Sequence, residues 1–281
     1  MTAEKEVKFR EALNMYGEFN EERMAMRERL ARATKFATER HAGHFRKGSD
    51  IPYIVHPMEV MGLLASMGAD DDLMIAGVLH DVVEDTPTTI EEVRAEFGDR
   101  VAELVAGHSD DKTKSWQERK EAEISATENG SLELKMLVLA DKLANIRSVY
   151  SDLCRVGEVV WDKFNQPRDK QDWFYSKMID ALASLQMNPD AMDCYWELNS
   201  IYKDVFVTFA IDVEREEIYQ VNSCGEGARL TRVQPEKWQM FSGELPEGAV
   251  IINRKIAERI EDNWADESWE GWVGMTNGVV Q

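Results

Sequence analysis

The chain has 281 residues, and its 53 acidic and 33 basic side chains give a formal net charge of −20. A field of this sign repels a phosphate backbone, which argues against general binding to nucleic acids or to anionic membranes. A hydrophobic content of 43% is enough for a packed core, so global disorder is excluded. No apolar run approaches the roughly 20 residues that cross a bilayer, and the charged N-terminal residues do not resemble a signal peptide.

The three cysteines, Cys154, Cys194 and Cys224, form no CxxC pair, and one disulfide would leave one of them over. Together with the lack of a signal peptide, this pattern indicates a reduced, cytoplasmic protein whose thiols are structural. The acidic surface is compatible with a monomer or a homodimer, so the sequence leaves the oligomeric state open.

Roughly the first 180 residues predict helices separated by short capped turns. The predicted helices run from Asn20 to about Ala42, from Pro57 to Gly68, and from Asp71 to Asp85, before a Thr-Pro pair. Capping boxes then begin two helices, and two longer amphipathic helices follow. Their positions are Thr89 with Glu92, Ser115 with Glu118, Ser131 to about Leu153, and Asp169 to Leu185.

Near Asp204 the sequence changes from helix-forming to strand-forming composition. The runs VFVTFAI, EIYQV and ARLTRV favour short β-strands, and NSCGEGA has the composition of a turn. A short helix from Arg254 to Trp264 and a tail with Trp269 and Trp272 follow. The sequence therefore predicts a mainly α fold with a helical domain over residues 1–199, whose core covers about 25–185. A small α+β region of unknown role occupies 200–281.

Several ionisable side chains interrupt the most apolar helix, in the segment DDLMIAGVLHDVVEDTP. His80 and Glu84 lie four residues apart, as do Asp81 and Asp85, so each pair shares a helix face. Burying these groups without partners costs several kcal/mol each. A bound divalent cation removes that cost, because it keeps carboxylates ionised and accepts an imidazole nitrogen.

Two further segments carry polar groups in the same unusual setting. In LKMLVLADKLANIR, Asp141 is the one acid within an apolar helix, and Asn145 lies one turn later. In RKGSDIPYIVHP, His56 precedes a proline at a helix start, and the cations Arg46 and Lys47 lie in the preceding loop. His41 and His44 could form a separate metal pair, and we expect His108 at the surface.

Two imidazoles and two carboxylates suit a borderline-to-hard ion such as Mn²⁺, Fe²⁺ or Zn²⁺, and the lack of thiolates argues against structural zinc. The predicted ligands are His56, His80, Asp81 and Asp141. Glu84 and Asp85 follow within one turn, where they could orient or deprotonate a water molecule. This combination predicts a hydrolytic site.

The order His…His-Asp…Asp on helices resembles the HD phosphohydrolase superfamily. Within it, RKGSDIPYIVHP, HDVVEDT and LADKLANIR resemble the hydrolase domain of the RelA/SpoT stringent-response enzymes, especially the stand-alone small alarmone hydrolases. The likeness covers about residues 25–185. The remaining residues past 200 contain nothing similar to a synthetase nucleotide site, so we expect hydrolase activity alone.

The resemblance implies a manganese-dependent hydrolase that removes the 3′-pyrophosphate of (p)ppGpp, giving GDP or GTP and pyrophosphate. It implies that the four predicted ligands bind the metal and that Glu84 and Asp85 form the catalytic acidic pair. By the same comparison, the substrate is a small nucleotide. The residues that would contact it are Arg46, Lys47 and Asn145, together with Lys112, Arg119 and Lys120, which match cations near the phosphates.

Two alternatives remain open from the sequence. The same pocket could serve a phosphatase acting on NADPH or on an adenine alarmone. The chain could instead be an alarmone-binding sensor without turnover, whose C-terminal region passes a signal to a partner. Separate measurement of phosphate and pyrophosphate over a panel of nucleotides would distinguish these functions.

Overall fold

The computed structural model describes residues 24–108, 112–212, 214–223, 225–231, 234–252 and 254–262. The described part of helix α1 covers 24–40. The helices that follow are α2 (Val55–Ser66), α3 (Asp71–Leu79), α4 (Val82–Asp85), α5 (Ile90–Phe97), α6 (Asp99–His108), α7 (Trp116–Asn129), α8 (Leu132–Val156), α9 (Arg168–Ala181) and α10 (Met192–Phe206). The strands are β1 (Thr208–Asp212), β2 (Glu217–Val221), β3 (Glu226–Thr231), β4 (Gln234–Ser242) and β5 (Val250–Ile252), followed by α11 (Arg254–Asp262).

The described residues fall into two compact units. One lies within Met1–Asn145 and Ala181–Tyr195, and the other within Ile146–Asp180 and Trp196–Gln281. The mainly α fold with a small C-terminal α+β region is confirmed. The predicted domain boundary near residue 200 stays a prediction.

The core of the first unit forms where α3 packs against α2 and α6. Leu64, Ile75 and Leu79 are fully buried there. Gly77 permits the close approach of α2, because a Cβ at that position would lie 2.5 Å from the Leu64 Cδ1 atom and 3.5 Å from the Met61 Cα atom. The apolar α3 therefore lies deep in the helical unit, and the residues that follow it enter the interior.

An antiparallel sheet organises the C-terminal part of the second unit, with strand order β4-β3-β2-β1-β5. Its apolar face packs with α11 through Phe209, Ile211, Ile218, Leu230 and Ile260. The first three strands form as predicted, except that Val205 and Phe206 of the run VFVTFAI end α10 instead of beginning β1. The sequence analysis did not predict β4, β5 or α10, and Cys224, Trp264, Trp269 and Trp272 lie outside the described residues.

Local sequence signals explain the starts of two helices in the first unit. Both predicted capping boxes form, with Thr89 and Ser115 each bonded to the glutamate three residues later. The prediction of one helix from Asp71 to Asp85 is wrong, because the chain turns at His80 and Asp81 between α3 and α4. The Nδ1 atom of His80 contacts the Gly77 carbonyl oxygen at 2.8 Å, and this is the oxygen that the Asp81 amide would use in a continuous helix.

The described part of the chain contains no helix with the length and apolar character needed to cross a membrane. Of the described cysteines, Cys194 is buried and Cys154 is exposed, and neither forms a disulfide.

Candidate metal centre

Four predicted ligands from three parts of the chain meet in the first unit. His56 lies on α2, His80 and Asp81 form the turn after α3, and Asp141 lies on α8. The Nε2 atom of His56 is 3.1 Å from Asp141 Oδ1 and 3.6 Å from Asp81 Oδ2. The Nε2 atom of His80 is 2.9 Å from Asp81 Oδ2 and 3.6 Å from Asp141 Oδ1. The structure therefore brings all four side chains to one point.

The orientation of His80 comes from the turn that carries it. Its Nδ1 atom is bonded to the Gly77 carbonyl oxygen, so its Nε2 atom faces the carboxylates. The ring is fully buried, and Nε2 makes no well-directed hydrogen bond within the protein. A buried, unsatisfied nitrogen between two carboxylates is the environment that a cation would complete.

The two aspartates are ionised despite their burial. Burial opposes the charged form of Asp141, but the ammonium group of Lys142 and the neighbouring His56 hold its pKa well below the ordinary value. In Asp81, the His80 imidazole likewise outweighs burial and lowers the pKa of the carboxyl group. Carboxylate oxygens and imidazole nitrogens at these separations fit a divalent ion.

The expectation that His108 lies at the surface is wrong. It is the last residue of α6, and its side chain is only 5% exposed. Its Nε2 atom lies 3.5 Å from Asp141 Oδ2, and its ring packs edge-on against His80 at 5.1 Å. Burial lowers the pKa of His108 to about 4, so the imidazole is neutral and has a lone pair available.

Tyr53 is a site residue that the sequence analysis missed. Its hydroxyl donates a hydrogen bond of 2.6 Å to Asp81 Oδ2, and its backbone N–H donates to the His44 carbonyl oxygen. Its ring packs on the buried His41 at 4.8 Å. Burial and the charge of Asp81 raise the pKa of the phenol far above its ordinary value, so the group remains a donor. Tyr53 therefore fixes the orientation of the Asp81 carboxylate.

Tyr53→Phe is expected to weaken binding of the divalent ion by about 10–100-fold, as loss of a hydrogen bond to a metal ligand typically does. Only the hydroxyl is lost, and the ring keeps its contact with His41. The dissociation constant of Mn²⁺ would be measured by calorimetric titration of the metal-free protein.

Tyr202→Phe is the matched control for this prediction. The Tyr202 hydroxyl donates a hydrogen bond of 2.7 Å to the buried Asp172 in the second unit, where no candidate metal group is found among the described residues. Both variants should lose about 1 kcal/mol of unfolding free energy, but only Tyr53→Phe should change metal affinity. Equal Mn²⁺ affinity in Tyr53→Phe and the unmodified protein would contradict the role given to Tyr53.

The loop before α2 also brings a cation toward the site. The Arg46 Nη2 atom donates to Asn145 Oδ1 at 3.2 Å, and Asn145 Nδ2 donates to Asp141 Oδ1 at 2.6 Å. Lys47 is exposed on the same loop. Arg46, Asn145 and Asp141 thus form one hydrogen-bonded series from the loop to the metal centre.

The acidic pair lies on the one-turn helix α4, next to Asp81. The Nζ atom of Lys112 donates to the Glu84 carbonyl oxygen at 2.6 Å and to Asp85 Oδ1 at 3.0 Å, and it lies 3.9 Å from Glu84 Oε1. Glu84 is half-buried, and Asp85 is exposed. The structure therefore places Lys112 against the predicted catalytic pair.

Lys120 belongs to an ion-pair cluster that includes Glu123 and Lys142 and extends to Asp141. Its Nζ atom is 2.5 Å from Glu123 Oε2, while the Lys142 Nζ atom is 2.5 Å from Glu123 Oε1 and 2.8 Å from Asp141 Oδ2. Burial opposes ionisation of Glu123, but Lys142 and Lys120 lower its pKa to about 2. Lys120 thus contacts a buried carboxylate, and Arg119 lies partly buried beside it on α7.

Comparisons with known proteins show the family to which the chain belongs. The family model described as HD domain matches residues 33–158. The MESH1 protein of Xenopus tropicalis, named guanosine-3′,5′-bis(diphosphate) 3′-pyrophosphohydrolase, is 39% identical over 123 residues, which make up 43% of this chain and 69% of that protein. The chain belongs to this 3′-pyrophosphohydrolase family.

Other members of the 3′-pyrophosphohydrolase family match to different extents. The human MESH1 protein is 39% identical, with 43% of this chain and 69% of that protein covered. A relative of the same enzyme name from Aquifex aeolicus is 38% identical, but the match covers 44% of this chain and only 18% of that protein.

Two solved structures resemble the chain. The crystal structure of lmo0812 from Listeria monocytogenes EGD-e has a TM-score of 0.50 and 39% identity, and the match covers 53% of this chain and 96% of that one. The structure of a metazoan ortholog of SpoT, described as hydrolysing ppGpp, has a TM-score of 0.52 and 28% identity, with 62% and 93% covered. These similarities support a shared fold over 53% and 62% of the chain, respectively.

Proposed function

We propose that the chain hydrolyses guanosine 3′,5′-bis(diphosphate) with Mn²⁺, giving GDP and pyrophosphate, and that the corresponding pentaphosphate gives GTP. The proposal depends above all on one observation. Two buried imidazoles and two ionised carboxylates converge, with the His80 Nε2 atom unsatisfied, in a member of the 3′-pyrophosphohydrolase family.

The metal would be held by His56, His80, Asp81 and Asp141. When bound, a divalent ion supplies Lewis-acid polarisation of a phosphoryl oxygen and lowers the pKa of a water molecule. The Tyr53 hydroxyl orients the Asp81 carboxylate. Lys142, which is paired with Glu123, orients the Asp141 carboxylate through its Oδ2 atom. The chain's own contribution is thus a preorganised set of donors.

The acidic pair is assigned to proton transfer. Glu84 accepts the proton of the attacking water as its oxygen adds to the phosphorus that carries the ribose 3′ oxygen. The bond between that phosphorus and the 3′ oxygen breaks, and the 3′ oxygen takes up a proton to become a hydroxyl. One water is consumed, and pyrophosphate leaves as the second product.

Cations around the centre are assigned to the substrate. Arg46 lies on the loop beside Asn145, and Lys47 follows it with an exposed side chain. The Lys112 ammonium group contacts Asp85, and from this position it would bind a phosphate of a bound nucleotide. Charge neutralisation by fixed cations stabilises the negative charge that develops during phosphoryl transfer.

A nucleotide panel tests the proposal. Metal-free protein would be incubated with and without Mn²⁺ and with guanosine 3′,5′-bis(diphosphate), NADPH or an adenine alarmone, while orthophosphate and pyrophosphate are measured separately. We expect equal amounts of GDP and pyrophosphate, and only with the metal. Release of orthophosphate alone would favour a phosphatase, and tight binding without any product would favour a sensor.

A further inference from the structure

A second set of candidate ligands overlaps the first. Besides His56, His80 and Asp141, the donor atoms of His80, Asp81 and His108 lie within 4.8 Å of one another. The two sets have His80 in common, and all the residues concerned are buried. The two sets could therefore form either one metal centre or two adjacent ones.

The hydrogen bond of His80 favours one centre. Its Nδ1 atom is occupied by the Gly77 carbonyl oxygen, so only Nε2 is available to an ion. A neutral imidazole nitrogen has one lone pair and binds one metal ion. If both sets bind, they must therefore share one ion, which would then have five donors, three nitrogens and two oxygens.

The surroundings of His108 do not explain it as an ordinary core residue. Its Nε2 atom lies 3.5 Å from Asp141 Oδ2, and its buried Nδ1 atom has no hydrogen-bond partner. Its ring lies edge-on against the ring of His80, with the ring centroids 5.1 Å apart. An unsatisfied, buried imidazole costs free energy unless something binds it.

We propose that His108 is a fifth ligand, which gives this chain a nitrogen-rich metal centre. The inference rests on the metal centre of the proposed function and extends it to metal preference. Imidazole favours Fe²⁺, Co²⁺ and Zn²⁺, whereas Mn²⁺ is satisfied by oxygen donors. The third imidazole therefore strengthens binding of Co²⁺ and Zn²⁺ more than binding of Mn²⁺.

His108→Leu removes both ring nitrogens and puts an apolar side chain of similar size in the buried position. Metal-free protein would be titrated with Co²⁺ and with Mn²⁺ separately, without any nucleotide. We expect the dissociation constant of Co²⁺ to rise by at least about 10–100-fold, because loss of a residue that only hydrogen-bonds to a metal ligand already has an effect of that size. The dissociation constant of Mn²⁺ should rise less. The visible absorption spectrum of the Co²⁺-loaded protein should also change, because the number of nitrogen donors changes.

Two further variants separate ligation from packing. His108→Gln offers an amide oxygen in place of the nitrogen, so it should keep Mn²⁺ affinity better than Co²⁺ affinity. His41→Leu is the matched control, since His41 is buried with both ring nitrogens unpartnered but belongs to neither candidate set among the described residues. Thermal unfolding of each metal-free variant would report any general loss of stability.

The outcomes distinguish this inference from the proposed function. Unchanged Co²⁺ affinity and an unchanged Co²⁺ spectrum in His108→Leu would overturn the role of His108. Pyrophosphate release by the unmodified protein would still support the proposed reaction. A parallel loss for both metals in His41→Leu and His108→Leu would also overturn it. The expected metal pattern in a protein that releases no pyrophosphate would leave His108 as a ligand and refute the proposed reaction.

Discussion

Asp81→Ala is expected to abolish metal binding and turnover together. Its carboxylate lies 2.9 Å from the His80 Nε2 atom and 3.6 Å from the His56 Nε2 atom, at the centre of the donor set. Loss of an outer hydrogen-bond partner already costs about 10–100-fold in metal affinity, so loss of a direct ligand costs more. Metal content after dialysis and the rate of pyrophosphate release are the two measurements.

Asp172→Ala is the control for that variant. Asp172 is also a buried aspartate, but its carboxylate accepts hydrogen bonds from Tyr202 and Ser223 in the second unit. It should lower the unfolding temperature and leave the folded protein with its full metal content. If Asp81→Ala retained one ion per chain and normal turnover, Asp81 would have to be removed from the ligand set.

The part of the site that sequence reasoning found has a clear physical origin. A carboxylate or imidazole within an apolar helix is costly to bury, so His80, Asp81 and Asp141 are conspicuous in any hydropathy pattern. The structure places these three residues with His56 as that reasoning expects, while their binding of a metal stays a prediction.

The residues that were missed have weaker sequence signals. Tyr53 lies in a loop, where no periodicity relates it to Asp81, and only the fold brings the two together. His108 did carry a signal, because Val101, Leu104 and Val105 on the same helix mark a buried face that includes position 108. That spacing predicts a buried His108, contrary to the surface position expected from the sequence.

The fold shows the same division between local and long-range causes. Capping boxes at Thr89 and Ser115 depend on neighbouring residues, and both formed as predicted. The break between α3 and α4 depends on the His80 side chain, which competes for the Gly77 carbonyl oxygen. No glycine or proline at the break itself marks it in the sequence. The strand β5 has only three residues, Val250–Ile252, and it pairs with β1 across a long sequence separation.

Glu84→Gln is expected to retain the metal and to lower kcat by about 10²–10⁴-fold, which is the usual contribution of a general base. The amide keeps the size of the side chain but cannot accept the proton of the attacking water. Asp85→Asn should have a smaller effect, because Asp85 Oδ1 is bonded to the Lys112 ammonium group at 3.0 Å, whereas Glu84 Oε1 lies 3.9 Å from it.

The comparison of these two variants assigns the base. Single-turnover rates of pyrophosphate release and Mn²⁺ titrations would be measured for both, since equal metal affinity is required before the rates can be compared. A slower Asp85→Asn variant beside a fully active Glu84→Gln variant would move the proton-accepting role to Asp85. If both lost turnover only in proportion to lost metal, the acidic pair would support the metal centre, and the base would have to be sought elsewhere.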